Sequence, residues 1–228
     1  MPSKFNPQFR TEQQLVSVFI DFLTQTKDDH VLVLEEFEGG FGRPDLLLYS
    51  ASNASEKKDV ETLKKINPRY APLLSTSASK KIQSLTDLAV ASGASRISAR
   101  RIAKELILLE RAHLIESAVQ TLKIEPIRHP PFEQVVAIEA KLRDWRRALM
   151  QAYRYLQYST QSWVLLDYKH AHSAIKQLAL FKSYGVGLAS FSTSGELYVH
   201  CMATTQKLPD SPLAWRTQAL LARTKNLS

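Results

Sequence analysis

Glu139 and Lys141 stand two residues apart in Val135-Val136-Ala137-Ile138-Glu139-Ala140-Lys141-Leu142, an alternating run that reads as a β-strand. A side-chain period of two sends the carboxylate and the ammonium to one face, with Val136, Ile138 and Ala140 on the other. A carboxylate so placed can hold a metal ion, and the neighbouring ammonium can stabilise charge on a phosphate oxygen. A half-buried strand with a solvated charged face has the same pattern, so the chemistry needs support from elsewhere in the chain.

That support lies in Gly42-Arg43-Pro44-Asp45-Leu46-Leu47-Leu48-Tyr49, where a turn-forming Gly and a rigid Pro deliver Asp45 to the mouth of a second apolar strand. Pro44-Asp45 and Glu139-Ala140-Lys141 together resemble the two halves of the PD-(D/E)xK nuclease motif. An amphipathic helix from Asp144 to Tyr158 follows the second half. Leu142, Trp145, Leu149, Ala152 and Leu156 make its core face, while Arg147, Gln151, Tyr155 and Tyr158 align on another. Gln151 and Tyr155 at this spacing are similar to the Q-x-x-x-Y motif of the RecB-like branch of that superfamily.

The resemblance covers roughly residues 11 to 202 and implies an α/β, restriction-endonuclease-like fold with a mixed central sheet flanked by helices. It implies a deoxyribonuclease that hydrolyses phosphodiester bonds with Mg2+ or Mn2+. Asp45 and Glu139 are then metal ligands, and Lys141 orients the attacking water or stabilises phosphoryl charge. Gln151 and Tyr155 contact the substrate strand or the strand bearing the lysine.

The elements that must position these groups are readable in turn. Thr11-Glu12-Gln13-Gln14 has capping-box spacing and opens a helix to about Thr24 with Val16, Phe19 and Leu23 on its apolar face. Glu12 falls on the inward side of the first turn. There it either complements the helix dipole or, as the resemblance implies, serves as a third metal ligand. Val31 to Glu38 reads as a strand broken at Gly39-Gly40, with Phe41 to Tyr49 returning as its hairpin partner. Glu36 and Glu38 are reserve ligands or edge-strand surface charge. Trp163 to Asp167 is a further buried strand, Ser173 to Ser183 a covering helix, and residues 185–201 a hairpin turning at Ser194-Gly195. His170 and His172 are assigned no site. Leu213 to Ala222 reads as a terminal helix packed on the core.

Between the two motif halves the composition changes. Fourteen of the 30 basic residues but eight of the 22 acidic ones fall between 56 and 128, so most of the net charge of +8 is concentrated there. Ser84 to Gly93 reads as a short helix, and Ser98 as the cap of a second. The run Ser98 to Glu116 is similar to the recognition helix and first wing strand of a winged helix-turn-helix domain, with His113 where a Gly is usual. That likeness implies duplex DNA as partner, with Arg96, Arg100, Arg101 and Lys104 as contacts. The expected division is a nuclease-like core of residues 1–55 and 126–228, interrupted by an inserted winged-helix domain of residues 56–125.

The 44% hydrophobic content suffices for a core, and the single Cys201 excludes an internal disulfide. No signal-like segment or membrane span is expected, which points to a cytoplasmic protein, nucleoid-associated in a bacterium. A homodimer or a larger nuclease complex is compatible with these features. Two other functions fit them too: a non-catalytic DNA-binding protein on a nuclease-like scaffold, and a nuclease subunit active only within a complex.

Overall fold

A computed structural model describes residues 8–26, 30–39, 42–51, 57–115 and 121–224. In chain order the elements are α1 (Glu12–Thr26), β1 (Val31–Glu35), β2 (Leu46–Ser50), α2 (Lys57–Lys65), a 3-10 segment (Pro68–Leu74), α3 (Thr76–Ser79), α4 (Leu85–Ser92) and α5 (Arg96–Leu108). They continue with β3 (Ala112–Ile115), β4 (Thr121–Ile124), β5 (Gln134–Lys141), α6 (Trp145–Tyr155), β6 (Gln161–Asp167) and a second 3-10 turn (Tyr168–His170). The last are α7 (His172–Ile175), α8 (Leu178–Tyr184), β7 (Gly187–Phe191), β8 (Leu197–Cys201) and α9 (Pro212–Ala222). The chain divides into two compact units, one of Met1–Ser50 with Gln134–Leu208, the other of Ala51–Glu133 with Pro209–Ser228.

The first unit is α/β. Its mixed six-stranded sheet runs β1-β2-β5-β6-β7-β8. β1, β2 and β5 pair antiparallel, β5, β6 and β7 parallel, and β8 returns antiparallel on β7. The apolar stripe of α1, Leu15, Val16 and Phe19, packs in one cluster with Leu46, Ile138, Ala140, Leu165 and Phe191. The stripe of α6, Trp145, Ala148, Leu149 and Ala152, packs with Val164, Leu166, Leu188 and Phe181 in the other. Successive residues of β6 thus feed opposite clusters, Leu165 one and Val164 and Leu166 the other, which is why this stretch reads as continuously apolar. Each fully buried Leu or Phe contributes about 1.5–3 kcal/mol, so both faces are strongly specified.

The start of α1 follows the expected capping box in part. Thr11 Oγ1 accepts from the Gln14 amide at 3.1 Å, but Gln14 Oε1 accepts from the Arg10 amide at 2.9 Å instead of from that of Thr11. The single covering helix expected over Ser173 to Ser183 is two short ones, α7 and α8, separated at Lys176-Gln177. The turn expected at Gly39-Gly40 lies partly outside the described residues, as does the 51–58 linker.

The second unit holds a four-element run: α4, the turn Gly93-Ala94-Ser95, α5, and an antiparallel hairpin of β3 and β4. Ser84 caps α4, and Gly93 ends it in the left-handed region at φ 62°. Helix α5 begins one turn earlier than expected: Ser95, not Ser98, is its cap, accepting from the Ser98 amide at 3.2 Å. The corner after α5 is also elsewhere. Glu110 takes the left-handed conformation (φ 54°), while His113 lies inside β3, opposite Lys123. The end of the expected wing strand, Glu116, lies outside the described residues.

The unit boundaries differ from the expected ones because of α9. It packs on α2 and the Pro68–Leu74 segment, burying Trp215, Ala219, Leu221 and Ala222. Gln218 completes the attachment: its Oε1 accepts from the Phe132 amide at 2.9 Å and its Nε2 donates to the Phe132 carbonyl at 2.8 Å. The terminal helix therefore belongs to the second unit, not to the sheet. A buried ion pair stiffens the same unit, with Arg111 bonded to Asp59 and, through Nε at 3.1 Å, to Thr62 Oγ1.

Candidate active site

Asp45 immediately precedes β2, which pairs antiparallel with β5 so that Leu46 faces Ile138. The Asp45 carbonyl accepts from the Glu36 amide at 3.0 Å, tying it to the end of β1. Its carboxylate is fixed on β5, where Oδ2 accepts from the Ala140 amide at 2.7 Å. A residue 95 positions away in the chain thereby meets the Glu-x-Lys strand.

Glu139 is 1% exposed, an expensive place for a carboxylate unless both oxygens are engaged. Here they are. Oε2 accepts from the Tyr155 hydroxyl at 2.7 Å and Oε1 lies 3.0 Å from Lys141 Nζ. The ammonium also lies 3.1 Å from Glu12 Oε2 and 3.7 Å from Asp45 Oδ2, and it donates to the Ala140 carbonyl at 2.9 Å. Glu12, Asp45, Glu139, Lys141 and Tyr155 are thus brought together.

Three carboxylates around one ammonium leave an excess of negative charge, and its strain shows in the ionisation of the group. Burial pushes the Asp45 carboxyl above its ordinary value, against the Ala140 amide and Lys141, with the Glu12 charge adding to the rise. Burial likewise raises Glu139, helped by the Asp45 charge and opposed by Tyr155 and Lys141. Burial alone would lower Lys141, but the Glu139 and Asp45 carboxylates outweigh it and hold the ammonium above its usual range. Burial also raises both Tyr155 and Tyr158, so each remains a neutral phenol beside Glu139.

Gln151 stands one helical turn before Tyr155 on α6. It lines a pocket of about 140 Å3 with Gly42, Arg154 and Tyr155. Its Oε1 is buried without a hydrogen-bond partner among the described residues. Tyr155 is 1% exposed, and its hydroxyl is engaged by Glu139 on the strand that bears the lysine. Glu36 and Glu38 are both exposed and pair with Arg43.

Two contributors were not singled out from the sequence. Gly42, read there only as a turn former, sits at φ 84°, and a Cβ on it would come within 2.8 Å of the Tyr155 ring. Tyr158 has a buried hydroxyl without a described partner, and its ring centroid is 6.0 Å from that of Tyr155. The aligned face Gln151, Tyr155, Tyr158 was the available signal for it. In the other unit, Arg96, Arg100, Arg101 and Lys104 are all exposed on α5.

Asp45 and Glu139 present hard oxygen donors of the kind Mg2+ and Mn2+ accept. Two desolvated carboxylates that repel one another are also what a divalent cation relieves. Among the described residues no group of three or more His, Cys, Asp or Glu side chains is arranged to hold an ion. The Lys141 ammonium instead stands among the carboxylates as their counter-ion. A two-carboxylate set still fits Mg2+, which is commonly held by one or two carboxylates and keeps several waters.

Comparison with protein-family models, with curated proteins and with solved structures found no match. No helix among the described residues is long and apolar enough to cross a membrane.

Proposed function

We propose that the protein is a metal-dependent nuclease of the PD-(D/E)xK type that hydrolyses DNA phosphodiester bonds, with its second unit acting as a DNA-binding winged helix. The observation that carries this reading is the meeting of Asp45, Glu139 and Lys141 at the paired ends of β2 and β5, with Glu12 joining from α1. The mixed sheet, with α1 before its antiparallel strands and α6 between the parallel β5 and β6, supports a restriction-endonuclease-like fold. The order α4, short turn, α5 and hairpin supports the winged helix.

Asp45 and Glu139 would hold Mg2+ or Mn2+, which when bound supplies a water of lowered pKa and neutralises charge at the scissile phosphate. Lys141 is the group that can donate to the phosphoryl oxygens as their charge grows. Tyr155 keeps Glu139 oriented, the Ala140 amide does the same for Asp45, and Glu12 restrains the lysine. Gln151, which lines a small pocket with Gly42, Arg154 and Tyr155, would position the substrate strand.

The test is a nicking and degradation assay on linear, circular and single-stranded DNA with Mg2+ or Mn2+. Activity should vanish with chelation and with Asp45→Ala or Lys141→Ala; activity surviving either substitution refutes the assignment. The exposed basic face of α5 favours a second reading, a DNA-binding protein without catalysis. That reading predicts salt-sensitive duplex binding indifferent to divalent ions.

A further inference from the structure

Ile97 is the second residue of α5 and is 70% exposed. Arg100 and Arg101 follow it at three- and four-residue spacing, so they neighbour it on the helix surface. Lys104 and Leu108, the latter 84% exposed, continue the same stripe. The helix has one acid, Glu105, and that carboxylate accepts from the Asn67 amide at 3.2 Å. Arg100, Arg101 and Lys104 enter no salt bridge among the described residues. Arg96 is tethered, its Nη2 donating to Thr86 Oγ1 at 3.2 Å and holding the first turn of α5 to α4. The face is therefore uncompensated positive charge around a bare aliphatic group, presented at the start of a fixed helix.

Neither packing nor helix propensity accounts for Ile97. It lies outside the core, and a β-branched residue is not a helix-promoting choice for a solvated site. A partner that offers apolar atoms within a strongly negative surrounding does account for it. The major groove of duplex DNA has that character wherever a thymine presents its 5-methyl group between the phosphate rows. Helix-turn-helix modules make base contacts near the N-terminal end of their second helix, where Ile97 stands.

We infer that Ile97 reads thymine methyl groups in duplex DNA, making the second unit a sequence reader as well as a phosphate-binding grip. The inference rests on the winged-helix reading above.

The experiment uses the whole chain in EDTA, so that no cleavage intervenes. Bound duplexes are recovered from a random-sequence DNA pool, and the enriched duplex is remade with deoxyuridine in place of thymine. One buried methyl corresponds to an affinity loss of about four-fold, so wild-type protein should bind the deoxyuridine duplex weaker by that factor for each methyl contacted. Ile97→Ala should bind the two duplexes equally, Ile97→Val should retain part of the preference, and Arg101→Ala should lose affinity for both alike. Equal wild-type binding to thymine and deoxyuridine duplexes, with Arg101→Ala still weakened, overturns the inference alone. Indifference of duplex binding to Arg101→Ala and Lys104→Ala overturns the winged-helix reading and the inference with it. Preference for duplex RNA or for anionic lipid vesicles over DNA has the same consequence.

Discussion

The Tyr155 hydroxyl donates to Glu139 Oε2 at 2.7 Å across 16 positions of sequence, and both side chains are only 1% exposed. This bond orients a carboxylate that is buried away from solvent. Tyr155→Phe removes the donor with little change of shape and strands one Glu139 oxygen. The expected cost is about 1–3 kcal/mol in stability. The proposed nuclease activity should fall by about 10–100-fold, with a higher metal concentration needed for half-maximal rate. Urea melts and Mn2+ titrations of the cleavage rate check both.

Lys141 is the counter-ion of the carboxylate cluster, which gives a readout independent of turnover. In Lys141→Met the carboxylates lose their ammonium, so the metal-free protein should melt earlier than wild type. Mg2+ or Mn2+ should then raise the melting temperature of the variant by more than that of wild type, since a cation no longer competes with the lysine. Equal metal-induced shifts in thermal melts would count against metal binding by Asp45 and Glu139.

Gly42→Ala tests the contact beneath the Tyr155 ring. The residue sits at φ 84°, and its new Cβ would lie 2.8 Å from Tyr155 Cε1, so backbone and ring are both disturbed. A loss of about 1–3 kcal/mol is expected from chemical denaturation. Activity should drop with it, because the displaced ring carries the hydroxyl that holds Glu139.

The Asp59 and Arg111 pair predicts an asymmetry. Asp59→Ala leaves a buried guanidinium without its acid and should cost about 3–5 kcal/mol. The double replacement Asp59→Leu with Arg111→Met should recover most of that loss, because no buried charge remains. Denaturation curves of the two variants decide the point.

His200 contributes a pH dependence. Burial lowers its pKa below the ordinary value of 6.5, and its Nε2 lies 2.7 Å from Ser190 Oγ. The unfolded chain therefore takes up the proton more readily than the folded one. The contribution to stability is present above pH 6.5 and is lost as pH falls from there through the folded value. His200→Gln should flatten the fall of melting temperature on acidification below that pH.

The local half of the site was legible in the sequence. Period-two alternation put Glu139 and Lys141 on one face, and Pro44 announced Asp45 at a strand mouth. Their meeting was legible only through the motif resemblance, because it depends on β2 pairing with β5 across a long intervening stretch, and no local pattern encodes that register. The cap of α5 was misplaced because Ser95 and Ser98 both suit a cap, and only the hydrogen bond from the Ser98 amide to Ser95 separates them. The corner before β3 was sought at a residue able to replace glycine, whereas Glu110 adopts the left-handed conformation itself. The attachment of α9 turned on Gln218 finding the Phe132 backbone, a tertiary match invisible in an amphipathic pattern.

In the β2 and β5 ladder, Ser50 is paired directly with Gln134, so the chain departs from the sheet and rejoins it on adjacent strands. The gap is one that a hairpin loop of two residues normally spans. The second unit therefore comes in two pieces: residues 51–133 can be swapped for such a loop, but α9 must travel with them. A shortened first unit ending near Leu208 is the natural minimal fold to engineer, and a version that kept the tail would expose the apolar face of α9 to aggregation.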